Sequence, residues 1–196
     1  MGWSCSWIAV RGKPKAALLP ELGLRPSGNY QDQPEAEWSG AALSDGWYLV
    51  FSARDCEPRQ FKPSALAIVS RDCELVASSV EEHVMFCSSA YWNKGSRAWS
   101  IVHDAQRGIE HLAVDGSPPA SYPSIRDRYL AQQDAEGGST ADVDLVFEIP
   151  LVIGVELTAF RHDQTFPKAE PRPFEALVMD VTTEASTRKK SWWKVW

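Results

Sequence analysis

The sequence predicts an α+β protein: a mostly antiparallel sheet with hairpins and a three-strand meander, three or four helices packed on it, and a Trp/Lys-rich C-terminal tail. Three observations lead there. Alternating runs rich in β-branched and aromatic residues dominate the first half of the 196 residues. Asp45-Gly46 lies between two such runs and is a strong hairpin signal, because both positions tolerate positive φ. Strand-like and helix-like stretches do not alternate as βαβ units, which argues against a doubly wound parallel sheet.

The elements follow in chain order. A first strand is expected over 3–10, with Trp3, Cys5, Trp7 and Ala9 opposite Ser4, Ser6, Ile8 and Val10. A short helix over 14–19 is halted by Pro20 and Gly23. Clusters of Pro, Gly and polar residues at 25–37, 54–62, 115–124, 136–141 and 162–173 read as loops. Strands over 38–43 and 47–52 flank the hairpin turn, and a helix over 63–71 starts on Pro63, a favoured first position. A strand over 73–80 leads to segments 82–92, 97–104 and 108–114, which form the meander with turns at 93–96 and 105–108. The helix over 122–136 has Pro123 near its start and Gly137-Gly138 at its end. Segment 151–160 follows Pro150 and closes on Arg161-His162, as suits a helix C-terminus, while its β-branched residues and Gly154 keep a strand open. The last strand is 174–181. One α+β domain is expected over 1–181, with 182–196 as linker and aromatic-basic tail.

Charge is unevenly spread. The net charge is −6, yet 188–196 carry Arg188, Lys189, Lys190 and Lys194 without an acid, so the body is −10. An acidic body opposes nucleic acid, whereas the tail is drawn to negative charge. Four cysteines, Cys5, Cys56, Cys73 and Cys87, form no C-x-x-C pair, so neither a zinc knuckle nor a thioredoxin-type redox pair is encoded. They read as reduced structural thiols. The first ten residues lack the basic start and long apolar core of a secretion signal. They match a myristoylation pattern through Gly2 and Ser6, which Trp3 makes poor. No apolar stretch is long enough to span a bilayer, and a cytoplasmic location is the expectation.

Catalytic motifs are sparse. There is no phosphate-binding loop, dinucleotide turn, nucleophile elbow or H-E-x-x-H. Three of the four histidines lie in the meander. Its turn lengths set Trp92 against Arg97, Ala90 against Trp99, Phe86 against His103 and His103 against Glu110. One face then carries Val84, Phe86, Ala90, Trp92, Trp99, Ile101, His103 and Glu110. The other carries His83, Met85, Cys87, Tyr91, Val102, Asp104 and His111. Cys87 and His103 would fall on opposite faces, which argues against a thiol hydrolase. Two weaker candidates are a His103–Glu110 catalytic pair and a metal site of His83, Asp104 and His111. No cofactor is implied.

The tail is the outstanding feature. Trp192, Trp193 and Trp196 share nine residues with Arg188, Lys189, Lys190 and Lys194. Indoles favour surfaces where one edge stays wet, and they dominate many interfaces. The expectation is therefore a non-enzymatic binding or interaction protein, with the tail docking on a protein partner or in self-association. A hydrolase or metal enzyme using the meander histidines is one alternative. A peripheral protein held to an anionic membrane surface by the tail is the other.

Overall fold

A computed structural model describes residues 2–164 and 173–180. Among these, nine strands form one antiparallel sheet with four α-helices packed on it. In chain order they are β1 (Ser4–Arg11), α1 (Lys15–Glu21), β2 (Leu24–Gln31), β3 (Trp38–Ala42), β4 (Trp47–Ser52), α2 (Pro63–Val69) and β5 (Glu74–Glu81). Then come β6 (Phe86–Asn93), β7 (Ser96–Asp104), β8 (Ala113–Gly116), α3 (Tyr122–Ala135), α4 (Glu148–Thr158) and β9 (Phe174–Met179). The strand order is β2-β9-β3-β4-β1-β5-β6-β7-β8.

β1 sits at the centre because both of its faces are apolar, which suits a strand covered on both sides. Ile8 and Val10 pack with Leu18, Leu19, Leu66 and Val69 from the α1 and α2 side. Cys5 and Trp7 face the other way, onto Phe147, Leu151 and Phe160 around α4. A third apolar cluster joins Trp99 and Ile101 to Ile125 of α3 and Ile149 and Ile153 of α4. Segment 151–160 is thus helical rather than extended, because apolar residues all round suit a helix pressed onto a sheet. Gly154 allows the close approach: a Cβ there would lie 2.9 Å from Ser89 Oγ, whose hydroxyl meets that of Ser78 at 2.7 Å.

The Asp45-Gly46 hairpin forms as expected, with φ of 54° and 76° at its two turn residues. Other expectations need correction. β2 falls within the stretch read as a loop; its apolar pattern is absent because it is an edge strand, mostly exposed, with Pro26 in it and a register shift between Pro26 and Tyr30. Residues 82–85 form a turn between β5 and β6 rather than the start of a strand. α1 runs to Glu21, past Pro20.

The meander is present, but its register differs. Asn93 pairs with Ser96 and Trp92 with Arg97, as the turn dictates; then Tyr91 pairs with Trp99, and Ala98 is left opposite nothing. This β-bulge advances the register by one and reverses the faces. Cys87 therefore pairs with His103, and Phe86 with Asp104. The next connection is also longer than a four-residue turn: β7 meets β8 through Val102 and Ala113, so Glu110 and His111 lie in a loop. His103 consequently has no cross-strand partner in Glu110.

Candidate functional site

The bulge brings Cys87 and His103 onto one face, side by side, yet each is committed elsewhere. Cys87 donates its thiol hydrogen to the Phe147 carbonyl at 2.9 Å, and burial pushes that thiol well above the ordinary range. His103 is fully buried; its Nδ1 meets the His111 carbonyl at 2.7 Å and its Nε2 the Asp144 carboxylate at 2.8 Å. A carbonyl only accepts, so Nδ1 donates to it, leaving Nε2 to meet the Asp144 carboxylate. The pair ties the 105–112 loop and the start of α4 to the sheet. Asp144 also accepts the Phe147 N–H at 3.1 Å through its other oxygen.

The proposed metal trio is not assembled. His83 Nδ1 bonds Glu81 at 2.6 Å in the β5–β6 turn, while His111 Nδ1 accepts the Asp104 N–H at 3.1 Å. Among the described residues no three His, Cys, Asp or Glu side chains are placed to hold a metal ion. Arg188, Lys189, Lys190, Trp192, Trp193, Lys194 and Trp196 lie outside the described residues. Buried thiols fare no better as nucleophiles. Burial raises Cys5, with Glu82 adding to it, and lifts Cys73 to about 11.

The fourth histidine has different surroundings. α4 ends at Ala159 in a left-handed conformation, which turns the chain so that Phe160 packs on Trp7 and His162 comes to rest beside it. His162 is 6% exposed, stacked on Trp7 at 5.6 Å and edge-on to Trp3 at 5.7 Å. Its Nε2 lies 3.5 Å from Glu82 Oε1, and its buried Nδ1 has no partner. Burial lowers the imidazole below the ordinary histidine range, against the opposing pull of Asp163 and Glu82. Arg161 holds the neighbouring segment in place, bonding Glu148 on α4 at 2.9 Å and Asp163 at 2.6 Å.

These residues wall a cavity of about 510 Å³ lined by Trp3, Gln33, Pro34, Glu35, Ala53, Arg54, His162, Asp163 and Gln164. Trp3 is anchored through its backbone: its N–H donates to Glu82 Oε2 at 2.8 Å and its carbonyl accepts the Glu82 N–H at 2.8 Å. Its indole is nevertheless 41% exposed. Glu35 and Asp163 are the acids in its wall, and the two loops that contribute to it also carry exposed Asp32, Glu37 and Asp55 outside the lining. Arg54 stands among them as an exposed cation. The sequence carried a hint of this site in Arg161-His162-Asp163, although adjacent His–Asp pairs are common in loops. Nothing local links those residues to Trp3 or Glu82.

A second cavity, about 280 Å³, is lined by Cys56, Glu57, Pro58, Phe61, Lys62, Pro63 and Ser79. Burial raises the Cys56 thiol, so it too stays protonated at neutral pH. Among the described residues no helix is long and apolar enough to cross a membrane. No protein-family model matches this chain, and no curated protein or solved structure matches it either.

Proposed function

We propose that this chain is a non-enzymatic binding protein whose cavity between Trp3 and His162 receives a basic, aromatic peptide segment of a protein partner. The observation that carries the reading is an exposed indole on a cavity lined by Glu35 and Asp163, between loops that carry further exposed acids. Lysine or arginine on an indole face gains cation–π attraction, and acidic loops draw such a segment in by long-range charge. A volume of about 510 Å³ lies within the ordinary range for a binding pocket and accommodates one or two side chains. The commitment of Cys87 to a carbonyl, and of His103 to Asp144 and His111, favours binding over acyl transfer at the sheet.

The test is a panel of labelled peptides pairing Trp with Lys or Arg, beside acidic and apolar controls, titrated at low and high salt. Basic-aromatic peptides are expected to bind, to weaken with salt, and to lose about tenfold with Trp3→Ala, the cost of one interface anchor of about 1.4 kcal/mol. Equal binding of the acidic controls would remove the reading.

One observation favours a second reading. His162 pairs with Glu82 beside the cavity and its depressed basicity keeps it neutral at pH 7, the state of a general base. A hydrolase screen comparing the protein with His162→Gln separates the two: activity lost in that variant would favour chemistry.

A further inference from the structure

The cavity opens at the end of the sheet from which the C-terminal segment departs. β9 finishes at Met179, and Asp180 donates its N–H to the Gly23 carbonyl at 2.7 Å. At the same end Trp38 pairs with both Leu177 and Ser52, so β9, β3 and β4 end or begin together. Gln60 Nε2 reaches Met179 Sδ at 3.4 Å, tying the loop after β4 to the last turn of chain before 181. That loop supplies Ala53 and Arg54 to the cavity, and the loop before β3 supplies Gln33 to Glu35.

From β9 to β1 is three strand spacings, about 15 Å. The chain from 181 to Trp192 can extend to about 36 Å, so its indoles reach the cavity with length to spare. Charge agrees. Glu35 and Asp163 line the cavity beside Arg54, and the loops that supply its wall also carry exposed Asp32, Glu37 and Asp55, while 188–196 carry four cations and no acid. The residue types that the cavity is proposed to select, indole and lysine side by side, are those of this segment.

We propose that residues 188–196 of the same chain occupy the Trp3–His162 cavity, an indole against Trp3 and the cations against Glu35 and the acidic loops beside it. The inference rests on the cavity's proposed preference for basic-aromatic peptides and names its resident occupant. A foreign peptide must then displace the tail, so the tail sets the threshold for partner binding. Tethering places the segment at an effective concentration in the millimolar range, enough to fill the site even at modest affinity.

The test compares the full chain with a form ending at Thr187, using a labelled synthetic peptide of the 188–196 sequence. The shortened form is expected to bind the peptide at least tenfold more tightly than the full chain. Glu35→Lys and Trp3→Ala in the shortened form should each weaken it, the former without touching the core. Both proteins should sediment as species of the same association state. Equal affinity for the two forms overturns the resident tail while leaving peptide binding intact. Failure of this peptide to bind the shortened form, when other basic-aromatic peptides do, also overturns it. Failure of every peptide removes the underlying reading as well, and a dimer that truncation dissolves shows exchange between copies instead of docking within one.

Discussion

A histidine whose two ring nitrogens both face acceptors is costly to strand. His103 and Asp144 are both buried, so removing the carboxylate leaves a buried imidazole with half its bonding unmet. Asp144→Ala is expected to lower stability by about 3–5 kcal/mol in urea denaturation. The double variant with His103→Leu should cost clearly less than the two single changes added together, because an apolar pair leaves nothing unpaired. His162 works in the opposite sense. Its folded basicity is depressed below the ordinary value of 6.5, so the unfolded chain takes up a proton first as pH falls. Stability is then full above about pH 6.5 and declines as pH drops through the folded value. Asp163 adds to the acid loss at lower pH: burial works to raise its carboxyl, but Arg161 and His162 hold it low. His162→Gln should flatten the melting temperature between pH 6.5 and 5 in part, and not fully, since burial and Arg107 also lower His111.

The meeting of α4 with β5 and β6 depends on a missing side chain. At Gly154 an added methyl lies 2.9 Å from Ser89 Oγ and 3.3 Å from Ser78 Oγ. Alanine would gain about 1 kcal/mol of helix propensity against that crowding, so Gly154→Ala should be close to neutral. Gly154→Leu has no such offset and is expected to cost about 1–3 kcal/mol, read as a lowered denaturation midpoint. Most elements were legible because their signals are local: the Asp45-Gly46 turn, Pro63 and Pro123 at helix starts, and glycines after α3. The faces of the meander were not, because a single unpaired residue, Ala98, reverses every side chain beyond it. β2 was illegible for another reason, since an exposed edge strand has no buried face to impose alternation. The Trp3–His162 site gathers residues from both ends of the chain, separations no local pattern encodes. Gln133 was equally invisible: it is fully buried in α3, donating to Gly138 and Val143 carbonyls and accepting the Leu145 N–H.

Across the molecule, protection should follow the sheet from its middle outward. β1, β4 and β5 are flanked by strands and covered on both faces, whereas β2 and β8 are edges. Amide hydrogen exchange is expected to be slowest in β1 and fastest in β8, whose four residues are all exposed. Exchange of β1 at the rate of β8 would contradict this layering. The strand order also fixes a timetable for manufacture. β9 lies between β2 and β3, which means β2 has nothing to bond until residues 174–179 exist. The ladder from β3 to β8 can close on a nascent chain; the remaining corner waits until residues 174–179 have left the ribosome. A stalled or prematurely terminated product would therefore present two naked strand borders, at β2 and β3, as an adhesive seam for its neighbours.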